Sequence, residues 1–258
     1  MITAKLGPVI KCLTLYWIFD SLSEKYGVNM TLIFLHGSGC TANVWAHQTA
    51  SFEHSLAINL PGHPEGETLS NLTDLADWLA STIKEQSLQD VVLVGHSLGG
   101  AVALQTALLG LEQVKALVLI GSGARLKVMP QILTSLSQLV EAQAEIPDSF
   151  LMGNQKIEEP LKSEINASLK ANGASVLLTD FTACDRFDVM EELSDITLPV
   201  QIIVGEADVM TPVKYAKYMD EQLPSSQLHV IEKGTHMVFA EQPEAVNKLI
   251  QTFINHLK

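Results

Sequence analysis

One serine in this chain has a glycine two positions away on either side. Residues 91–100 read VVLVGHSLGG, so Gly95 stands two positions before Ser97 and Gly99 two positions after it. This G-x-S-x-G pattern, placed between an apolar run and a small-residue stretch, is typical of a sharp strand-to-helix turn that exposes the serine hydroxyl. Glycines leave the space that such a turn requires, and the start of the following helix favours developing negative charge. We therefore predict that Ser97 is a nucleophile.

A serine hydroxyl becomes an effective nucleophile when a nearby base takes its proton. Among the eight histidines, His36 and His63 lie at strand ends, and His96 adjoins Ser97, so its side chain should point elsewhere. His236, in EKGTHMVFAEQP, follows the last predicted strand and precedes the final helix. In folds that carry this strand-to-helix turn, the catalytic residues follow one another along the chain in the order serine, acid, histidine. We predict His236 as the base.

The base requires a carboxylate that holds its tautomer and stabilises the imidazolium ion. The stretch VGEADVMTP follows the fifth predicted strand and offers Glu206 and Asp208. Asp208 lies deeper in the loop and is the predicted acid, with Glu206 as the alternative. Three other carboxylates, Asp180, Asp185 and Asp188, lie outside this loop and are expected to be solvated or helix-capping charges.

The negative oxygen of a tetrahedral intermediate requires two hydrogen-bond donors. The residue after the nucleophile, Leu98, supplies one backbone N–H. The second is predicted to be the N–H of Ser38 in HGSG, directly after the first strand of the alternating pattern. Whether the Ser38 hydroxyl also contributes is left open, and the alternative is that HGSG is a flexible loop without a catalytic role.

The elements that must position these residues follow an alternating pattern from residue 30 onward. Short apolar runs that end in glycine or proline predict buried strands, and apolar residues at helical spacing predict helices between them. Six strands are predicted, in MTLIFLHG, SLAINLPGH, VVLVG, VKALVLIG, VQIIVG and QLHVIE. Strands of this kind alternating with helices indicate an α/β fold with a mostly parallel sheet covered by helices on both faces.

The interval 124–197 departs from this alternation. It contains three helical stretches and no convincing strand, and it is too long for an ordinary connection. We predict a helical cap over residues 124–197, inserted in a core of residues 1–123 and 198–258. The apolar residues Phe150, Phe181 and Met237 are predicted to line a substrate pocket, although the cap residues could instead only pack the cap on the core.

The composition narrows the class of protein. The 258 residues carry a formal net charge of −13, which repels phosphate backbones and argues against a nucleic-acid partner. The three cysteines are scattered without metal or disulfide spacing, which favours a reducing, cytoplasmic location. Residues 9–19 are predicted to form a strand or strand pair rather than a signal peptide. No apolar run is long enough to span a bilayer. A monomer and a homodimer remain equally open.

The motifs LHGSG, GHSLGG, GEADVMTP and GTHM resemble those of the α/β-hydrolase superfamily. The stretch INLPGHPEG is similar to the loop that follows the next strand after LHGSG in that family. The chain looks like a member of the small, carboxylesterase-like branch with a helical cap. The resemblance implies an eight-stranded, mostly parallel sheet, a Ser97–Asp208–His236 triad, and no metal or organic cofactor. Residues 1–29 match the family's opening hairpin poorly, and Thr235 stands where glycine often precedes the histidine. The nucleophile position holds Ser97. This excludes the dehalogenase and epoxide-hydrolase branches of the superfamily, which need aspartate at that position.

The leading functional expectation is hydrolysis of a small or medium apolar ester through an acyl-enzyme on Ser97. Fold alone does not settle which bond is cleaved. A thioesterase, a carbon–carbon bond hydrolase or a lyase could use the same residues. The non-enzymatic alternative is a receptor that binds a small ligand and signals through its cap.

Overall fold

The apolar runs form a parallel sheet. The computed structural model describes residues 30–150 and 156–257, and within them six strands pair in the order β2-β1-β3-β4-β5-β6. All five pairings are parallel. The strands are Thr31–Leu35 (β1), Ser55–Ile58 (β2), Val91–His96 (β3), Val114–Ile120 (β4), Val200–Gly205 (β5) and Ser226–Ile231 (β6).

The expected count of eight strands is wrong for the described part of the chain, which has six. Each of the six lies where an apolar run predicted it, so the local sequence pattern was sufficient there. The larger number came from the family resemblance, and the additional strands would fall on residues 1–29. Those residues, including the strand or strand pair expected over 9–19, lie outside the described part.

Helices connect successive strands and cover the sheet. The helix Leu72–Glu85 begins after Asn71, whose side chain accepts a hydrogen bond from the N–H of Asp74 at 2.8 Å. Its apolar residues recur at helical spacing and are buried against the sheet, as predicted. The α-helices of the described residues are Ala46–Ser51 (α1), Leu72–Glu85 (α2), Leu98–Leu108 (α3), Pro130–Glu141 (α4), Leu161–Arg186 (α5), Val213–Gln222 (α6), Val238–Glu241 (α7) and Pro243–His256 (α8).

The core consists of two apolar layers, one on each face of the sheet. Alternate residues of a strand point to opposite faces, and in β1 Ile33 and Leu35 join one layer while Leu32 and Phe34 join the other. Helices α2, α3 and α6 cover the first face, and α7 and α8 cover the second. Burial on both faces explains why the strands read as continuous apolar runs rather than as alternating ones.

The residues between β4 and β5 (121–199), here called the β4–β5 segment, contain helices α4 and α5. Within its described residues the segment has no strand beyond an isolated bridge between Arg125 and Asp188. Two helical stretches predicted separately join in α5, which is interrupted at Gly173, where φ is 78° and ψ is 175°. The predicted helical character of this interval agrees with the structure.

Candidate active site

The predicted site residues gather at one edge of the sheet. In a parallel sheet the carboxyl ends of all strands meet at the same edge, and ligands bind in the crevice outside them. Ser97 directly follows β3, and residues 36–43, here called the β1 loop, follow β1, the neighbour of β3. Asp208 follows β5 and His236 follows β6. The fold therefore brings together four segments that are far apart in sequence.

Ser97 lies on a strained turn. Its φ of 52° and ψ of −114° are unusual for a residue with a side chain, and such conformations cost on the order of 1–3 kcal/mol and cluster at functional sites. Its carbonyl oxygen accepts hydrogen bonds from the N–H groups of Gly100 and Ala101 and from the Ser122 hydroxyl at 2.8–3.1 Å. These contacts hold the turn that the G-x-S-x-G pattern predicted.

The glycines of the turn are required by close backbone approach. A Cβ at Gly95 would lie 2.2 Å from the carbonyl oxygen of Gly99, and a Cβ at Gly99 would lie 2.2 Å from that of Leu35. Both contacts are with backbone, which cannot swing aside. Helix α3 therefore starts tightly against β1, with the Leu98 N–H in its first turn, where N–H groups lack helical partners.

His236 and Asp208 form a buried pair. His236 Nδ1 lies 2.9 Å from Asp208 Oδ2, and the two side chains are 10% and 0% exposed. The same oxygen accepts a hydrogen bond from the Thr211 hydroxyl at 2.7 Å. The other carboxylate oxygen accepts the N–H groups of Met210 and Thr211, both at 2.9 Å. With Nδ1 held as a donor to this carboxylate, the free ring nitrogen of His236 is Nε2.

The surroundings keep Asp208 ionised. Burial by itself would raise the pKa of this carboxyl, but the hydrogen bond and charge of His236, together with the Thr211 contacts, lower the pKa below its usual value. Glu206, the alternative acid, is exposed and accepts a hydrogen bond from the N–H of Lys233 at 3.1 Å. The structure therefore places Asp208, and not Glu206, beside His236.

Two residues support this pair without a predicted role. His96 is buried, and its Nε2–H donates to the carbonyl oxygen of His236 at 3.0 Å, while its ring packs 4.6 Å from the His236 ring. Gly121 follows β4, and a Cβ there would lie 3.3 Å from Asp208 Oδ2 and 3.4 Å from His236 Nδ1. A glycine directly after a strand was the sequence signal that could have identified this position.

The β1 loop lies against the nucleophile turn. A Cβ at Gly37 would lie 3.3 Å from the Cβ of Ser97, so Ser38 follows immediately on a residue that contacts the turn. His36 is buried, and its Nδ1–H donates to the carbonyl oxygen of Gly37 at 2.9 Å. That carbonyl belongs to the same peptide group as the Ser38 N–H. The loop is therefore held by hydrogen bonds, which argues against a freely flexible HGSG.

His36 makes the stability of the protein dependent on pH. Burial, with repulsion from His63, lowers the pKa of His36 to about 3, and its Nε2 accepts the N–H of Leu60. The unfolded chain binds a proton near pH 6.5 and the folded one does not, so this contribution is present above pH 6.5 and is lost as the pH falls towards 3.

We expect His36→Asn to reduce the loss of unfolding free energy between pH 7 and pH 4 by about 3 kcal/mol relative to the unsubstituted protein. Urea titrations of both proteins at the two pH values measure this. His96, whose pKa is also lowered by burial, acts in the same direction, and His63, whose pKa is raised, in the opposite one. Because His36 is the buried imidazole that the substitution removes, its contribution dominates the difference between the two proteins. Equal pH dependence of the unfolding free energy in both would contradict the prediction.

One sequence-based expectation about the β4–β5 segment is wrong. Asp180 was expected to be a solvated or capping charge, but it is 2% exposed and its Oδ2 lies 2.9 Å from His63 Nε2. Burial alone would lower the pKa of His63, yet the hydrogen bond and charge of Asp180 raise it. The same Oδ2 accepts the N–H of Gly39 at 2.7 Å. No spacing rule links residues so distant in sequence.

The predicted substrate-lining residues lie in apolar clusters. Phe150 and Phe181 are partly buried against a cluster within the β4–β5 segment formed by Leu136, Ile146, Ala174 and Leu177. Met237, which adjoins His236, is 5% exposed and belongs to the core layer on one face of the sheet. These positions are compatible with packing as well as with ligand contact, so the pocket assignment stays a prediction.

Between 30–150 and 156–257, no group of three or more His, Cys, Asp or Glu side chains is placed to hold a metal ion. Burial raises the pKa of Cys40 and Cys184 to about 12, so both are protonated thiols at neutral pH. None of the helices in those ranges is both long and apolar enough to cross a membrane.

A parallel sheet with helices on both faces, a strained serine after β3, and a buried His–Asp pair after the last two strands define the class of α/β hydrolases. The sequence profile of the alpha/beta hydrolase family matches residues 32–249, and the chain belongs to this family.

Individual relatives include several esterases. The chain is 27% identical over 248 residues to a pimeloyl-[acyl-carrier protein] methyl ester esterase of Vibrio campbellii, covering 89% of this chain and 96% of that one. Among solved structures, a thermophilic esterase has 30% sequence identity and a TM-score of 0.75, covering 88% of this chain and 90% of its own. A lipase-esterase related protein from Clostridium acetobutylicum has 26% identity and a TM-score of 0.76, covering 87% and 94%.

Proposed function

We propose that this protein is a serine hydrolase that cleaves a small or medium apolar ester through an acyl-enzyme on Ser97. The observation that carries the proposal is the combination of a strained Ser97 with the buried His236–Asp208 pair at the same edge of the sheet. Strained backbone conformations cluster at functional sites, and this type of turn exposes the serine hydroxyl to a substrate. The esterase names of the relatives support the bond class.

In the first half of the proposed reaction, Ser97 Oγ attacks the ester carbonyl carbon while His236 Nε2 takes its proton. Asp208 stabilises the resulting imidazolium, since its ionised Oδ2 faces Nδ1–H. The N–H groups of Leu98 and Ser38 donate to the oxyanion of the tetrahedral intermediate. The intermediate collapses as His236 returns the proton to the alcohol oxygen, and the alcohol leaves the acylated serine.

In the second half, a water molecule attacks the acyl carbon and gives its proton to His236. The second tetrahedral intermediate releases the carboxylic acid, and the proton returns to Ser97. His236 carries each proton between Ser97, the leaving alcohol and water, and Asp208, Leu98 and Ser38 stabilise the charges. The proposed steps therefore involve no metal or organic cofactor.

We further propose that residues 124–197 act as a cap over this edge of the sheet and select the substrate, with residues 1–123 and 198–258 as the core. The cluster that includes Phe150 and Phe181 gives the segment an apolar interior, which favours an apolar acyl or alcohol group. The few, scattered cysteines, with Cys40 and Cys184 buried as free thiols, support a reducing, cytoplasmic location.

The proposal is tested by the site of acylation and by the range of esters. We expect a fluorophosphonate probe to add to the protein once, at Ser97, as found by mass spectrometry of the digested adduct. Turnover of nitrophenyl acetate, butyrate and hexanoate should exceed that of the palmitate, because the proposed substrate is a small or medium ester. Methyl esters of the same acids extend the panel, since the curated relatives are named for a methyl ester.

Labelling at another residue, or absence of turnover on every ester, would refute the ester hydrolase proposal. Faster turnover of the corresponding thioesters than of the esters would instead assign the site to thioester cleavage. Binding of a labelled ester without turnover would favour the receptor alternative.

A further inference from the structure

Helix α5 binds the β1 loop through buried polar side chains. Asp180 Oδ2 accepts the N–H of Gly39 at 2.7 Å. From the preceding half of the helix, Asn172 Nδ2 donates to the carbonyl oxygens of Gly39 and Cys40 at 2.8 and 3.1 Å. Asp180 and Asn172 are 2% and 8% exposed. Both backbone polar groups of Gly39, the residue after Ser38, are therefore fixed by one helix.

The approach of α5 to Gly39 is close. Gly39 has a φ of +68°, and a Cβ at this position would lie 2.7 Å from a methyl carbon of Leu177 and 2.8 Å from one of Leu169. At the end of the helix, the Cys184 sulfur lies 3.8 Å from the Ser38 hydroxyl. A shift of α5 would therefore either clash with the loop or break its hydrogen bonds.

The same aspartate reaches the other side of the loop through a histidine. Asp180 Oδ2 lies 2.9 Å from His63 Nε2, and His63 Nδ1 lies 3.3 and 3.1 Å from the carbonyl oxygens of Leu60 and Pro61. The His63 ring packs 4.9 Å from that of His36. His36 in turn holds the peptide group that carries the Ser38 N–H. The loop is thus restrained on both sides of Ser38 by contacts that meet at Asp180.

We propose that Asp180, assisted by Asn172, is a positioning residue that fixes the β1 loop so that the Ser38 N–H points at the developing oxyanion. The inference rests on the proposed function, in which this N–H is a donor. It assigns to the cap a part in the chemical step, in addition to substrate selection. An oxyanion hydrogen bond is formed in the transition state, so a misplaced donor lowers kcat and leaves ground-state binding unchanged.

The test compares Asp180→Ala, Asp180→Asn and Asn172→Ala, with Glu164→Ala as the matched control, because Glu164 is an exposed carboxylate on the same helix. For each protein we measure kcat and KM on nitrophenyl butyrate and the thermal midpoint. We also measure the affinity for an alkyl trifluoromethyl ketone, which forms an oxyanion on the serine, and for the matching alcohol, which does not.

We expect Asp180→Ala to lower kcat by about 10- to 100-fold and to weaken the ketone by a similar factor, since one oxyanion donor is worth about 10²–10³ in rate when lost completely. KM and the affinity for the alcohol should change by less than about threefold, as for interactions made only in the transition state. Asp180→Asn should recover most of kcat, because both hydrogen bonds end on a single oxygen that asparagine retains. Glu164→Ala should match the unsubstituted protein.

The proposal is overturned if Asp180→Ala keeps kcat while its thermal midpoint falls, or if KM and the alcohol affinity change as much as kcat. Should Asp180→Ala fail to fold, Asn172→Ala decides: unchanged kcat there overturns the proposal, and a loss in kcat and ketone affinity alone supports it. If the unsubstituted protein shows neither turnover nor labelling of Ser97, the proposed function fails instead, which keeps the two failures distinct.

Discussion

Ser97→Ala is expected to lower kcat/KM on nitrophenyl butyrate by at least about 10⁴-fold, because it removes the atom that attacks the carbonyl. Alanine has no hydroxyl for His236 to deprotonate, so no acyl-enzyme forms. The change is small in volume, and the contacts that hold the turn end on the backbone carbonyl of Ser97 rather than on its side chain. The fold should survive, and the measurement is the steady-state rate with the circular-dichroism spectrum of the same sample.

Ser38→Ala provides the matched control, since it deletes the same atom from another serine at the site. The proposed donor at Ser38 is its backbone N–H, which alanine retains, so we expect kcat/KM to fall by less than about fivefold, far below the loss from removal of a donor. A large loss in Ser38→Ala would instead assign the hydroxyl to the oxyanion. Equal activity of Ser97→Ala and the unsubstituted protein would remove Ser97 from the mechanism.

The residues that sequence reasoning located are those whose role is set by local geometry. Ser97 is recognisable because a strained turn requires glycines at fixed offsets, and the structure shows the backbone contacts that impose them. Asp208 and His236 are recognisable because loops at the carboxyl ends of parallel strands converge. The six strands were predictable because burial on both faces of the sheet requires continuous apolar runs in the sequence.

The residues that sequence reasoning missed depend on tertiary contacts. Asp180 was expected to be solvated because it is a carboxylate in the inserted segment, although its helical neighbours Leu177 and Ala183 are apolar. The docking of α5 on the β1 loop buries it against Gly39 and His63. The interruption of α5 at Gly173, by contrast, agrees with the sequence pattern, which predicted separate helical stretches on either side of this glycine. The expected count of eight strands came from the family resemblance, and the described residues contain six.

The identity of the acid is decided by a substitution that preserves shape. In Asp208→Asn the backbone N–H groups of Met210 and Thr211 still need an oxygen acceptor. The asparagine oxygen is expected to occupy that position, which turns its NH₂ group towards His236 Nδ1. Two donors would then face each other, so His236 should adopt the tautomer with the proton on Nε2. In that form it cannot take the proton of Ser97.

We therefore expect Asp208→Asn to lower kcat by about 10³–10⁴-fold with little change in KM, as for a triad whose histidine has the wrong tautomer. The downfield proton resonance of His236 Nδ1–H should be lost with it. Glu206→Gln is the matched control, because Glu206 lies two residues earlier in the same loop and is exposed. Its kcat should stay within about twofold of the unsubstituted protein, as expected for a surface substitution away from the site. A large loss in Glu206→Gln, with activity retained in Asp208→Asn, would transfer the role of the acid to Glu206. Loss of activity in Asp208→Asn with activity retained in Glu206→Gln would assign the acid to Asp208, whose Oδ2 faces His236 Nδ1.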